Sequence, residues 1–179
     1  LKHENSLCLI LTENNYNSLL SYLTVLDTSN AVMLLDEKIN NEFLNNIINI
    51  YKPEFIFWSL NRSLQEYELT EIKINDYSFY LYQRSSFTQN NQLLKTKLLL
   101  STSGSTGSSK FVRLSAQNIN SNSASISQYL NITEYEIAIT SLPMHYSFGL
   151  SVVNSHLFAG GSLVLTNETV VQNYFWEIF

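Results

Sequence analysis

The chain has 179 residues, enough for one compact domain and too few for two comfortable ones. With 45% hydrophobic and 13% aromatic residues it has ample material for a core, which excludes global disorder. Its 14% of charged residues is low against about a quarter in ordinary globular chains, and a net charge of -5 without a block of one sign gives no general attraction for a nucleic-acid backbone.

Residues 7–11 form an apolar run that reads as a buried strand, with Cys8 a small buried residue inside it. Tyr16, Leu19, Leu20, Leu23 and Leu26 then recur at helical spacing, with Thr12 or Asn14 available as the cap. Residues 31–35 make a second strand, and Ile39, Phe43, Ile47 and Tyr51 a second helical stripe that Pro53 stops before a third strand at 54–58. This alternation announces a parallel sheet with crossover helices. From 59 to 92 the signal weakens into a polar, Tyr-rich stretch with one alternating segment at 77–82, and a subdomain junction is expected there. The expected division is a first α/β portion over 1–92 and a second over 93–179. Residues 98–100 read as a strand, Ser115 as the cap of a helix facing inward through Ala116, Ile119, Ser123, Ile126 and Leu130, and 137–142 as another strand. A helix at 148–158, a stop at Gly160-Gly161, a strand at 162–166 and a helix from 170 complete the pattern. No apolar run approaches the roughly 18 residues that span a bilayer, and no signal-peptide pattern opens the chain, so a cytoplasmic protein is expected. A start at Leu1 and an apolar close at 170–179 read as part of a longer protein.

Between Leu100 and Phe111 stand ten residues, Ser101-Thr102-Ser103-Gly104-Ser105-Thr106-Gly107-Ser108-Ser109-Lys110, with no apolar side chain and one cation at the end. Glycines let backbone N–H groups converge, the Ser and Thr hydroxyls add donors and Lys110 adds charge, a composition suited to a polyphosphate. A flexible linker has a similar composition, but linkers seldom run from an apolar strand through a Lys into an alternating segment. Spacing excludes a Walker loop, because Ser109 stands where its second Gly belongs and Phe111 where its Ser or Thr belongs. Gly-x-Gly-x-x-Gly and Gly-x-Ser-x-Gly are absent, and Gly107 three before Lys110 rules out Ser-x-x-Lys.

The segment from Thr102 to Gly107, with Lys110 after it, resembles the signature phosphate loop of the adenylate-forming enzymes, which include acyl-CoA synthetases, adenylation domains of peptide synthetases and luciferases. Residues 141–150, Ser-Leu-Pro-Met-His-Tyr-Ser-Phe-Gly-Leu, are similar to that family's second motif, and 160–165 to the Gly-Gly-strand after it. The early strand, helix and strand at 7–35 are similar as well, so the resemblance covers nearly the whole chain. Ser109 and Phe111 depart from the Pro and Gly usual there, and His145-Tyr146 reverses the common order of aromatic and His.

The resemblance implies an incomplete N-terminal domain of an acyl-CoA synthetase-like ligase that joins a carboxylic acid to AMP, releases pyrophosphate and passes the acyl group to CoA or a carrier thiol. ATP and Mg2+ are the implied cofactors. Thr102, Ser103, Gly104, Ser105, Thr106, Gly107 and Lys110 would hold the phosphates, and His145, Tyr146 and Gly149 would line the acyl pocket. The family's catalytic lysine and its metal and adenine contacts are implied to lie beyond residue 179, so no catalytic or metal residue is expected within the chain, which alone should be inactive. The other class in contention is a non-enzymatic module that grips a phosphate or nucleotide, which has no reason to carry the motif at His145.

Overall fold

The computed structural model describes residues 4–74, 77–86, 93–101 and 110–178. Strand β1 (Leu7–Thr12), helix α1 (Tyr16–Leu26), β2 (Ala31–Asp36), α2 (Asn41–Tyr51) and β3 (Phe55–Trp58) follow in the expected alternation. β1 pairs in parallel with β2 on one side, Leu7 opposite Ala31, and with β3 on the other, Cys8 opposite Phe55. Right-handed crossovers in opposite directions place α1 and α2 on opposite faces of the sheet. Tyr22 and Val25 of α1 accordingly pack with Cys8, Ile10, Val32 and Leu34, while Leu44 and Ile47 of α2 pack with Leu9, Leu11, Met33 and Leu35. Alternate residues of each central strand feed different cores, which is why these strands are apolar without interruption.

Strands β4 (Tyr67–Ile74), β5 (Tyr77–Arg84), β6 (Leu98–Ser101) and β7 (Phe111–Leu114) complete a seven-stranded sheet of order β4-β5-β3-β1-β2-β6-β7. β6 is parallel to β2, whereas β5, β4 and β7 are antiparallel to their neighbours. The architecture is α/β, parallel at the centre, with helices on both faces. β6 and β7, which follow the division expected at 92, hydrogen-bond in the same sheet as β1. Helix α3 (Ala116–Leu130) leads to β8 (Ile137–Ile139), α4 (Ser147–Phe158), β9 (Ser162–Val164) and α5 (Asn173–Ile178), with β8 and β9 forming a separate parallel pair. No helix among the described residues is long and apolar enough to cross a membrane.

Several local expectations change. β4 was not legible, because its apolar residues are divided between two faces, Tyr67 packing on one core and Ile72 on the other. Helix α1 buries Ser18, Ser21, Tyr22 and Val25, whereas Tyr16 and Leu23 are exposed, because small serines let the helix lie close to the sheet. Its cap is Asn15, whose side chain accepts from the Ser18 N–H, rather than Thr12 or Asn14. On α3 the buried residues are Ser123 and Ser127, with Ala116 and Leu130 exposed. Ser115 does cap it, through a reciprocal capping box with Asn118.

Lys97 fastens the entrance of the sheet. Its ammonium donates to the carbonyls of Val25 and Asn30, each at 3.0 Å, and to that of Thr28. These oxygens cluster at the end of α1 and the start of β2, where a cation meets the negative end of the helix dipole. Replacing Lys97 by Met removes the ammonium donor from all three, the Val25 carbonyl keeping its bonds from the Thr28 N–H and hydroxyl, and a loss of about 2 kcal/mol is expected. A urea midpoint unchanged in Lys97→Met would show that water serves the carbonyls equally well.

Candidate functional site

The carboxyl ends of β1, β2, β3 and β6 lie along one edge of the sheet, where open α/β sheets bind ligands. β6 delivers Ser101 to this edge, next to the end of β2, since Leu100 stands opposite Leu34. Ser101 is also the register partner of Phe111, so the Ser/Gly segment leaves and returns between adjacent antiparallel strands. Thr102, Ser103, Gly104, Ser105, Thr106 and Gly107 lie outside the described residues. Lys110 is exposed immediately before β7. The next described element is the strand β7 rather than a helix.

The second motif arrives at the same edge. Met144 is fully buried, His145 half-buried and Tyr146 55% exposed at the start of α4. The His145 Nδ1 lies 3.4 Å from the hydroxyl of Thr12 at the end of β1. Thr12 pairs with Asp36, whose strand pairs in turn with β6, so one strand separates the His145 contact from the root of the Ser/Gly segment, a distance of about 10 Å. The ring thus faces the sheet, while Tyr146 faces outward, which separates two residues that sequence placed together.

Burial holds the His145 pKa below its ordinary value, opposed by the charge of Asp36. An unfolded chain therefore takes the proton more readily than the folded one, and stability is lost as pH falls through the ordinary histidine range near 6.5. Relative to His145→Gln, the native protein is expected to lose urea resistance between pH 7.5 and 5.5. A constant difference between the two proteins would contradict the assignment.

Other acids gather nearby. Glu37 accepts from the Ser59 hydroxyl, and its pKa is raised first by burial and also by Glu13 and Asp36, with the Ser59 bond opposing. Among the described residues no group of three His, Cys, Asp or Glu could hold a metal ion. Burial pushes the Cys8 thiol up to about 12, so it is not a nucleophile at neutral pH.

Between α3, α4 and β6 lies a cleft of about 420 Å³, lined by Leu100, Leu114, Ile119, Phe148 and Leu150 with Asn122 and Asn154. One wall is the strand that leads into the Ser/Gly segment and the other is the helix that the second motif opens. Its size is that of a small-molecule pocket, apolar with a few polar groups.

The contacts that sequence reasoning missed are those of Thr12 and Asn14. Both stood as possible helix caps, yet each bonds instead to the second motif or its flanks. No local signal separates the two roles, since the same polar groups serve a cap and a long-range contact.

A family model described as AMP-binding enzyme matches residues 2–179. No curated protein matches the chain. Among solved structures, the o-succinylbenzoate CoA synthetase of Bacillus subtilis bound to its acyl-adenylate intermediate is similar at 18% identity and TM-score 0.71, covering 98% of this chain and 47% of that one. The same enzyme with ATP and magnesium ion gives 21% and 0.71, over 98% of this chain and 48% of that one. ATP-bound MatB from Rhodopseudomonas palustris gives 20% and 0.68, over 93% and 36%. The chain thus spans between about a third and a half of these structures.

Proposed function

The chain belongs to the AMP-binding enzyme family, and on that premise we propose that it supplies the phosphate-binding and acyl-facing part of an ATP-dependent ligase that activates a carboxylic acid. The observation that carries the reading is the arrival at one sheet edge of Ser101 and Phe111, which flank the Ser/Gly segment, and of His145 against Thr12. In the proposed reaction a carboxylate oxygen attacks the α-phosphorus of ATP, the bond to the bridging oxygen breaks, and pyrophosphate leaves. Transfer follows when a thiol of CoA or a carrier displaces AMP from the acyl carbon. Charge grows on the leaving pyrophosphate, so donors fixed on it are the main demand.

Thr102, Ser103, Gly104, Ser105, Thr106 and Gly107 would meet that demand through hydroxyl and backbone N–H groups, with Lys110 as a mobile point charge. His145, Tyr146 and Gly149 would border the acyl pocket, and the cleft beside α4 has room for the acyl group. Magnesium would accompany the nucleotide, as in the Bacillus subtilis enzyme with ATP and magnesium ion. Among the described residues no group of three His, Cys, Asp or Glu offers it a site. The activity is assigned to the protein at its full natural length, in which residues 1–92 and 93–179 would form two portions of one large domain, and a cytoplasmic location goes with this reading.

ATP–pyrophosphate exchange across a panel of carboxylic acids tests the proposal. Exchange that depends on one acid supports it and identifies the substrate. No exchange with any acid, alongside retained ATP binding, replaces it with a nucleotide-binding module.

A further inference from the structure

Asn14 is 7% exposed, and its polar groups are taken up by distant segments. Its Nδ2 donates to the carbonyls of Thr140 at 3.0 Å and Leu142 at 3.1 Å, and its Oδ1 accepts from the Met144 N–H at 3.1 Å. Its own N–H donates to Asn167 Oδ1 at 2.8 Å. One side chain therefore satisfies three backbone groups of the loop that ends in His145. Without Asn14 the Thr140 carbonyl and the Met144 N–H would lose these bonds at buried positions.

Thr12 acts on the ring itself. Its hydroxyl is 3.0 Å from the Leu35 carbonyl, which can only accept, so the single hydroxyl proton is committed there. The same oxygen is 3.4 Å from His145 Nδ1 and can then only accept from it. A neutral imidazole carries one N–H, so a proton on Nδ1 leaves Nε2 bare.

We propose that Asn14 and Thr12 are positioning residues of the acid-activating site, Asn14 fixing the loop over residues 140–144 and Thr12 fixing His145 as its Nδ1–H tautomer. The proposal rests on the ligase reading for its functional sense. An Nε2 without a proton takes hydrogen bonds and gives none. It therefore disfavours a carboxylate or phosphate oxygen at that atom and suits a hydroxyl, amide or thiol donor on an incoming group. The pairing is distributed over segments more than 120 residues apart, so neither contact is needed to form a local element.

Two measurements on the full-length protein test it. In a two-bond 1H–15N spectrum at pH 7.5, with His145→Gln giving the assignment, His145 is expected to show a protonated Nδ1 and a bare Nε2. Thr12→Val, nearly isosteric but unable to accept, should move the ring toward the Nε2–H form, and Thr12→Ser should restore the original pattern. An Nε2–H ring in the native protein, or no change in Thr12→Val, overturns the assignment whether or not the protein adenylates anything. For Asn14, Asn14→Asp keeps the acceptor for Met144 and loses both donors. In pyrophosphate exchange the KM for the acid should rise about tenfold with the KM for ATP unchanged. Equal change in both constants, or in neither, overturns the positioning role, and absence of exchange in the native protein overturns the ligase reading instead.

Discussion

Gly149→Ala is expected to destabilise the protein by about 3 kcal/mol, near the upper end of what overpacking costs. A Cβ at this position would stand 2.3 Å from the Pro143 carbonyl oxygen and 2.7 Å from that of Leu142. Both obstacles are backbone, so no side-chain rotation relieves them. The loop cannot retreat easily either. The Leu142 carbonyl is held by Asn14, the Pro143 carbonyl accepts from the Tyr146 N–H at 3.0 Å, and Met144 is fully buried. Either α4 lifts and uncovers Leu150 and Val153, or the loop leaves Asn14 and carries His145 away from Thr12. Both routes damage the proposed acyl side as well as stability. The urea midpoint should fall with an unchanged slope. Gly160→Ala is the comparison: its added Cβ meets nothing nearer than 3.5 Å, and its cost comes from a φ of +81°, worth about 1–2 kcal/mol. A midpoint for Gly149→Ala no lower than that of Gly160→Ala would mean that the backbone yields to the added methyl at little cost.

The central sheet was legible because its chemistry is local. Leu7, Leu9 and Leu11 face one core and Cys8 and Ile10 the other, and a strand buried on both sides produces such a run. Helix α2 was legible in part: Ile47 of the expected stripe is buried, with Phe43 and Tyr51 packed against the same core, but Leu44, outside that stripe, is its other buried residue. The cap at Ser115 needed only the next three residues. What failed was long-range or cooperative. Nothing near β4 indicates that Tyr67 and Ile72 pack on opposite cores, and nothing near Asn14 indicates partners at 140, 142 and 144. The two motifs were found by composition and resemblance, but their relation was not. Their meeting at one edge depends on strand order, which places β6 beside β2 although β3, β4 and β5 intervene in sequence.

The largest effect expected on activity belongs to the Ser/Gly segment. Gly104→Ala combined with Lys110→Ala should lower acid-dependent pyrophosphate exchange by about a hundredfold to a thousandfold, the scale of removing fixed donors from a developing anion. The two changes act differently. A methyl at Gly104 restricts backbone conformations that bring N–H groups close to phosphate oxygens, whereas truncating Lys110 removes a charge that geometry alone cannot replace. Lys110→Arg should therefore recover only part of the rate, because a planar guanidinium is not a compact ammonium. Folding supplies the contrast. Ser101 to Phe111 is closed by backbone pairing of β6 with β7, and Lys110 is exposed, so stability should stay within about 0.5 kcal/mol of the native value. Exchange and urea midpoint measured on the same preparations separate the possibilities. Lost exchange with an unchanged midpoint places the polyphosphate at this segment; exchange retained, or lost only in proportion to lost folding, removes the segment from the mechanism.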